Sequence, residues 1–212
     1  MKPDKGGMSM SDHYYTNKPQ TTSETSAWAY TLRGKEFKFV TDTGVFSKKT
    51  VDFGSRLLIE TLDFSEMVPG NLLDVGCGYG PIGLSLAKED AERKVEMVDV
   101  NERALGLAKQ NASNNRLANV LIHTSDIYET VEGKDFAAIV SNPPIRAGKK
   151  VVHGVLTGAY DLLKQGGTLT VVIQKKQGAP SAKSKMEETF GNAEVIAKDK
   201  GYWIIQSVKQ KD

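Results

Sequence analysis

The chain has 212 residues, of which 39% are hydrophobic and 25% charged, with a formal net charge of +2. That is the composition of one globular α/β-sized domain with room for one sizeable core. No apolar run approaches the roughly 18 residues that cross a bilayer, and the first 30 residues are polar and lack the apolar stretch of a secretory signal, so a cytoplasmic protein without a membrane partner is expected. Cys77 is the only cysteine, which excludes an internal disulfide.

Residues 1–26 form a polar, Thr/Ser-rich segment in which Met1, Met8 and Met10 leave the start of translation open, and residues 27–212 read as a single domain. Two short alternating runs, 28–32 and 37–40, separated by Arg33–Glu36, predict a hairpin. Thr50 is placed to cap a helix across Val51 to Leu62. From Asn71 the pattern alternates: strand 72–75, helix 81–88 with Pro81 in its first turn, strand 95–99, helix 102–115, strand 120–123, strand 136–140. A helix from about 150 to 163 is expected to leave at Gly166-Gly167. Strand 168–173, a basic loop 175–184, a helix near 183–190 and strands 194–197 and 202–208 complete the chain. Short apolar strands alternating with helices imply a mostly parallel sheet covered on both faces. Ligands then bind at the carboxyl ends of the strands.

Residues 74–80 read D-x-G-x-G-x-G between the first strand and first helix of this unit. Glycines at 76, 78 and 80 let the backbone turn tightly and meet a ligand with no Cβ between. Pro81 stands where a dinucleotide fingerprint needs glycine or alanine, which opposes a nicotinamide dehydrogenase, and no phosphate-cradling G-x-x-x-x-G-K-[ST] is present. Asp74 suits a ligand that carries an amino group. Asp99 ends the next strand, where its two oxygens reach both hydroxyls of a ribose, and Asp126 follows the third strand, where an adenine amino group would be accepted. Each aspartate alone is equally a loop or cap residue, but the coincidence of all three at successive strand ends favours one ligand. Cys77 lacks neighbours that would activate a thiolate and reads as a small side chain in the turn.

The segment 74–80 resembles motif I of the Rossmann-like class I methyltransferases that use S-adenosylmethionine, and Asp99 matches their ribose-binding acid. The resemblance implies an α/β fold with a seven-stranded, mostly parallel sheet whose last strand is antiparallel, helices on both faces, and an added N-terminal hairpin and helix. It implies cofactor contacts at Asp74, Gly76, Cys77, Gly78, Gly80, Asp99, Val100, Asp126, Ile127 and Asn142.

The strand ending at Ser141 stops at Asn142-Pro143-Pro144-Ile145, because proline has no N–H for the ladder and its fixed φ holds the preceding carbonyl in one direction. An aromatic exocyclic amine is a poor nucleophile because its lone pair is delocalised into the ring. Two fixed acceptors, the Asn142 side-chain oxygen and the Pro143 carbonyl, would take both N–H groups and aim the lone pair at a methyl donor. Taken alone, the segment is also an ordinary Pro-Pro turn. It resembles motif IV of amino-group methyltransferases, N-P-P-aromatic, except that the fourth position is Ile145. Phe46 is the candidate to stack on the target base in its place, its other reading being core packing.

The wider pattern, including 43–47, 141–148 and 200–202, resembles the catalytic domain of the small-subunit ribosomal RNA guanine-N2 methyltransferases. It implies ribosomal RNA or the 30S subunit as partner. The length leaves no room for the extra N-terminal domain that some members carry. From Asn142 to Lys185 the chain has eight cations against one acid, a net +7. This is either a solvated lysine face or a polyanion footprint. Arg146, Lys149, Lys150, Lys175 and Lys176 are the candidate RNA contacts. His13, His123 and His153 show no ligand spacing, so no metal is expected, and a monomer is the default. Competing expectations are methylation of a protein glutamine or of adenine N6, or a non-enzymatic cofactor- or RNA-binding module.

Overall fold

The computed structural model describes residues 24–42 and 49–210. Strands β1 (Thr25–Leu32) and β2 (Lys35–Asp42) pair antiparallel, from Thr25 opposite Asp42 to Leu32 opposite Lys35. Arg33 and Gly34, at φ 49° and 71°, make the two-residue turn whose twist matches paired strands. The hairpin is thus longer at both ends than its alternating core suggests.

Helix α1 (Phe53–Thr61) begins later than predicted, and its cap is Asp52, not Thr50. Asp52 is extended (φ −61°, ψ 153°) and its Oδ1 accepts the Ser55 N–H at 3.0 Å, the geometry an N-cap requires. The Thr50 hydroxyl instead donates to the Val51 carbonyl (3.3 Å).

The alternating unit follows as β3 (Leu72–Val75), α2 (Pro81–Glu89), β4 (Val95–Asp99), α3 (Glu102–Asn114), β5 (Val120–Thr124), β6 (Phe136–Ser141), α4 (Lys149–Leu162), β7 (Leu163–Gln174), α5 (Ala179–Phe190), β8 (Glu194–Asp199) and β9 (Tyr202–Val208). These seven strands form one sheet in the order β5-β4-β3-β6-β7-β9-β8. Strands β3 to β7 are parallel, and β9 runs antiparallel between β7 and β8. The expected fold class therefore holds. Side chains alternate across the sheet: Leu72, Met97 and Val140 pack with α1, α2 and α3, whereas Leu73, Val98 and Ile139 pack with α4 and α5.

Two boundaries differ from expectation. Helix α4 does not leave at Gly166-Gly167 but passes straight into β7 at Leu163. The glycines occupy an irregularity where Phe136 pairs with Leu163 and Ala138 with Thr168. A Cβ on Gly167 would lie 2.7 Å from the Phe136 carbonyl, so the close approach of two strands, not a helix exit, requires glycine there. Helix α5 starts earlier than predicted, inside the basic loop, with Pro180 in its first turn where the missing N–H costs nothing.

The hairpin docks against α3 through polar clamps. The fully buried Asn111 donates to the Val40 and Tyr79 carbonyls (3.0 and 2.9 Å) and accepts the Val40 N–H (2.6 Å). Asn115 does the same for Lys38 (2.8 and 2.9 Å), and Arg103 forks onto Asp42 (2.8 and 2.6 Å). Trp28, Phe39 and Tyr79 close the contact edge to face, with Trp28 and Phe39 each about 6 Å from Tyr79. The glycine-rich turn is thereby pinned from outside.

On the opposite face, α4 carries Gly154 and Gly158 one turn apart, and the loop after β5 lies in the groove they leave. Ile127, at φ 52°, and Tyr128 would sit 2.6 and 2.7 Å from Cβ atoms at these positions. The Tyr128 hydroxyl donates to the Val155 carbonyl at 2.6 Å. We expect Gly158→Ala to lower stability by about 1–2 kcal/mol in urea denaturation. Overpacking against the Tyr128 ring would outweigh the gain in helix propensity.

Candidate active site

The carboxyl ends of the parallel strands are tied to one another by short polar links. The Ser141 hydroxyl donates to the Val75 carbonyl (2.7 Å), joining β6 to β3. Gly76 and Cys77 N–H groups donate to the Val98 carbonyl (2.8 and 3.0 Å), joining β3 to β4. The Ser125 N–H donates to the Asp99 carbonyl (3.1 Å), joining β4 to the loop after β5.

Above these ends lies a cavity of about 470 Å³, within the range of small-molecule sites. Its lining brings together Gly76, Asp99, Val100, Asp126 and Ile127 of the sequence-predicted cofactor set, with Pro144 of the Asn-Pro-Pro segment. Gly76 has φ 74°, and Pro144 Cδ is 3.9 Å from where its Cβ would be, so the two motifs share one wall. Asp74, Cys77, Gly78, Gly80 and Asn142 are not in the lining.

Asp99 accepts the Gly78 and Asn101 N–H groups, one on each oxygen, both at 2.9 Å. Burial holds its carboxyl above the usual range, opposed by the N–H groups of Asn101, Gly78 and Val100. Each oxygen keeps a lone pair for a further donor. Asp74 is fully buried. Its Oδ2 accepts the Gly83 N–H in the first turn of α2 (2.8 Å), and its Oδ1 has no partner. Burial pushes the Asp74 carboxyl up to about 7; the Gly83 N–H opposes this and the Asp99 charge adds to it. Burial, with Asp74 and Asp99 nearby, also pushes the Cys77 thiol up, so it stays protonated.

Asn142 is oriented by α1. Its Nδ2 donates to Asp52 Oδ1 (3.2 Å) and to the Ser55 hydroxyl (3.1 Å), which turns the side-chain oxygen away from the helix. Pro144 and Ile145 carbonyls are taken by the Ala147 and Gly148 N–H groups (3.0 and 3.2 Å). The Pro143 carbonyl accepts nothing from the described residues. Asn142 Oδ1 and the Pro143 carbonyl are therefore left without a partner among the described residues, on consecutive positions of a segment with two fixed φ angles. The roles of Asp52 and Ser55 escaped sequence reading because they lie 90 and 87 positions from Asn142. Ser125, Thr130, Val151 and Val155 of the cavity were missed as well, since neither loop nor helix signals where its side chains converge.

Ile145 packs half-buried against the α4–α5 core and lines a second cavity of about 290 Å³ with Lys149, His153 and Ser181. Burial, with Lys149 and Lys185 nearby, holds the His153 imidazole below its ordinary value against the pull of Glu188. Phe46 lies outside the described residues. Among the cations of 142–185, Lys164 donates to the Pro69 carbonyl, and Lys183 and Lys185 pair with Glu187 and Glu188. Arg146, Lys149, Lys150, Lys175 and Lys176 are exposed and make no such contact among the described residues. Among the described residues no cluster of metal-ligating side chains occurs, and no helix is long and apolar enough to cross a membrane.

A parallel sheet with this glycine turn, an acid ending the neighbouring strand and Asn-Pro-Pro ending the next defines a methyltransferase dependent on S-adenosylmethionine. The cavity suits that cofactor: acidic acceptors at Asp99 and Asp126 stand among the apolar walls of Val75, Val100 and Ile127. The chain belongs to the methyltransferase small domain family, whose model matches residues 36–206. It is 54% identical over 201 residues to the uncharacterized protein YbxB of Bacillus subtilis, covering 94% of this chain and all of that one. It is 37% identical to ribosomal RNA small subunit methyltransferase C of Aeromonas hydrophila, over 77% of this chain and 47% of that protein. The chain thus spans about half the length of these ribosomal RNA relatives. Among solved structures, the 16S rRNA N2 methyltransferase of T. thermophilus, in complex with AdoMet and guanosine, superimposes with a TM-score of 0.79. That match has 26% identity, over 91% of this chain and 52% of that one.

The Asp74 carboxyl gives the protein a pH signature. Its folded pKa lies above the ordinary 3.8, so its contribution favours the folded state below that value and is lost as pH rises to about 7. We expect the stability of the cofactor-free protein to fall over this window through Asp74. Asp74→Asn should flatten that decline in urea denaturation measured across a pH series.

Proposed function

We propose that the chain transfers a methyl group from S-adenosylmethionine to an exocyclic amino group of RNA, the N2 of a guanine in small-subunit ribosomal RNA, with the 30S subunit or its RNA as partner. A cytoplasmic location follows from that substrate. The observation that carries the reading is the anchored amide of Asn142 beside the open Pro143 carbonyl. S-adenosylmethionine supplies an already activated methyl group on a sulfonium. What remains for the protein is to position and polarise the amine. Asn142 Oδ1 and the Pro143 carbonyl accept the two N–H groups, which localises the nitrogen lone pair. Asp52 and Ser55 hold the amide in the one orientation that presents oxygen. No base is needed before transfer, because the proton leaves the nitrogen after the new bond forms.

The cofactor would be held by Asp99, which would accept the ribose hydroxyls, and by Asp126, which would accept the adenine amino group, with Val100 and Ile127 as apolar walls. Gly76, Cys77, Gly78 and Gly80 form the turn, and Asp74 in β3 below it the brace, that would hold its amino-acid end. Arg146, Lys149, Lys150, Lys175 and Lys176 hold backbone phosphates, consistent with their lack of acidic partners among the described residues. Ile145, packed into the core, supports the turn and offers no aromatic stack.

The decisive experiment incubates the protein with labelled methyl donor and undermodified 30S subunits or free 16S RNA, then maps the label by mass spectrometry. Label on guanine N2 is expected, and no incorporation into RNA overturns the substrate. Asn142→Ala should keep cofactor affinity but lose about 10²–10³-fold in turnover, as when one preorganised contact is removed. Asp99→Ala should weaken cofactor binding about tenfold or more by calorimetry, equivalent to about 1.4 kcal/mol.

A further inference from the structure

Helix α1 has two working faces. Asp52 and Ser55 face Asn142. Phe53 and Arg56 face a separate groove of about 280 Å³ against β1, lined also by Tyr30, Glu60 and Asp199. The Arg56 guanidinium lies between two rings, 5.4 Å from the Phe53 centroid and 5.9 Å from that of Tyr30. Among the described residues it makes no hydrogen bond or ion pair, its Nε is buried without a partner, and the two acids of the groove do not pair with it. An arginine held on aromatic faces with its donors unspent is unusual, because the guanidinium fork is matched to carboxylates and phosphates. The platform extends further: Tyr202 lies 5.4 Å from the Phe53 ring and the Lys200 ammonium 4.7 Å from it. Rings interleaved with cations fit single-stranded nucleic acid, where bases stack and phosphates take the charge.

We propose that this groove holds a nucleotide of the substrate RNA flanking the one that is methylated, its phosphate on Arg56 and its base against the parts of the Phe53 and Tyr30 rings that Arg56 and Lys200 leave uncovered. The placement gives α1 a joint role, since the first turn that orients Asn142 on one side would seat the neighbouring nucleotide on the other. The Lys175 N–H donates to the Gly201 carbonyl (2.7 Å), between Lys200 and Tyr202 of the platform, so the cations at 175 and 176 adjoin this groove.

The proposal rests on the RNA reading above, and its test separates the two. The affinity of the full chain for a fluorescein-labelled single-stranded RNA of mixed sequence is measured by anisotropy at several salt concentrations, and S-adenosylmethionine binding by calorimetry. Arg56→Gln should weaken RNA binding about tenfold and lower the slope of log affinity against log salt by about one. Phe53→Leu should weaken it by a similar factor with the slope unchanged. Arg56→Lys should retain the slope. Cofactor affinity should stay at the wild-type value in all three. Wild-type RNA affinity and slope in Arg56→Gln and Phe53→Leu overturn the groove assignment, as does a parallel loss of cofactor binding, which would make the pair structural. A wild-type protein that binds no RNA overturns the RNA reading itself.

Discussion

A parallel sheet whose strand order reverses between β3 and β6 opens a crevice at its carboxyl edge, because the helices leaving these two strands pack on opposite faces. Every functional feature follows from that constraint. The glycine turn leaves β3 toward α2, the Asn-Pro-Pro segment leaves β6 toward α4, and the cavity lies between them. The reversal alone would leave loose loops. Short links, Ser141 to Val75, Gly76 to Val98 and Ser125 to Asp99, set the strand ends against one another. They lie at buried or half-buried positions, where an unmade hydrogen bond costs more than a made one contributes.

The second level of organisation is side-chain amides and carboxylates that each serve two elements. Asp52 closes the N-terminus of α1 and holds Asn142. Asn111, inside α3, pairs with the edge of β2 and with the Tyr79 carbonyl in the glycine turn. Asp99 braces the turn through Gly78 while facing the cavity. Such groups make the site stiff without adding apolar bulk. Asp74 is the exception: one of its oxygens is buried without a partner, and burial has driven its carboxyl close to neutrality.

Charge is partitioned in the same economical way. Of the cations in 142–185, three are consumed by the fold, in a carbonyl contact and two helix-surface pairs. The other five are exposed and unpaired among the described residues. A nearly neutral chain can thus present a cationic surface locally, and that local field, not the net +2, is what a polyanion meets.

Period and punctuation in the chain were enough for the alternating strands, the parallel sheet, the glycine turn and the abrupt stop of β6 at two prolines, because these are local consequences of residue type and spacing. The positions of Asp99 at the end of β4 and of Asn142 just past β6 were legible for the same reason. Boundaries set by distant partners were not. The cap moved to Asp52, and Gly166-Gly167 proved to serve strand contact, because each depends on what lies across from it. The substitution of Ile145 for an aromatic was visible, but its packing into the α4–α5 core was not. Local chemistry determined which residues stand at the strand ends. Only the tertiary structure decided which way they face, because Asn142 is turned by a helix 87 to 90 positions away, and no local pattern encodes that contact.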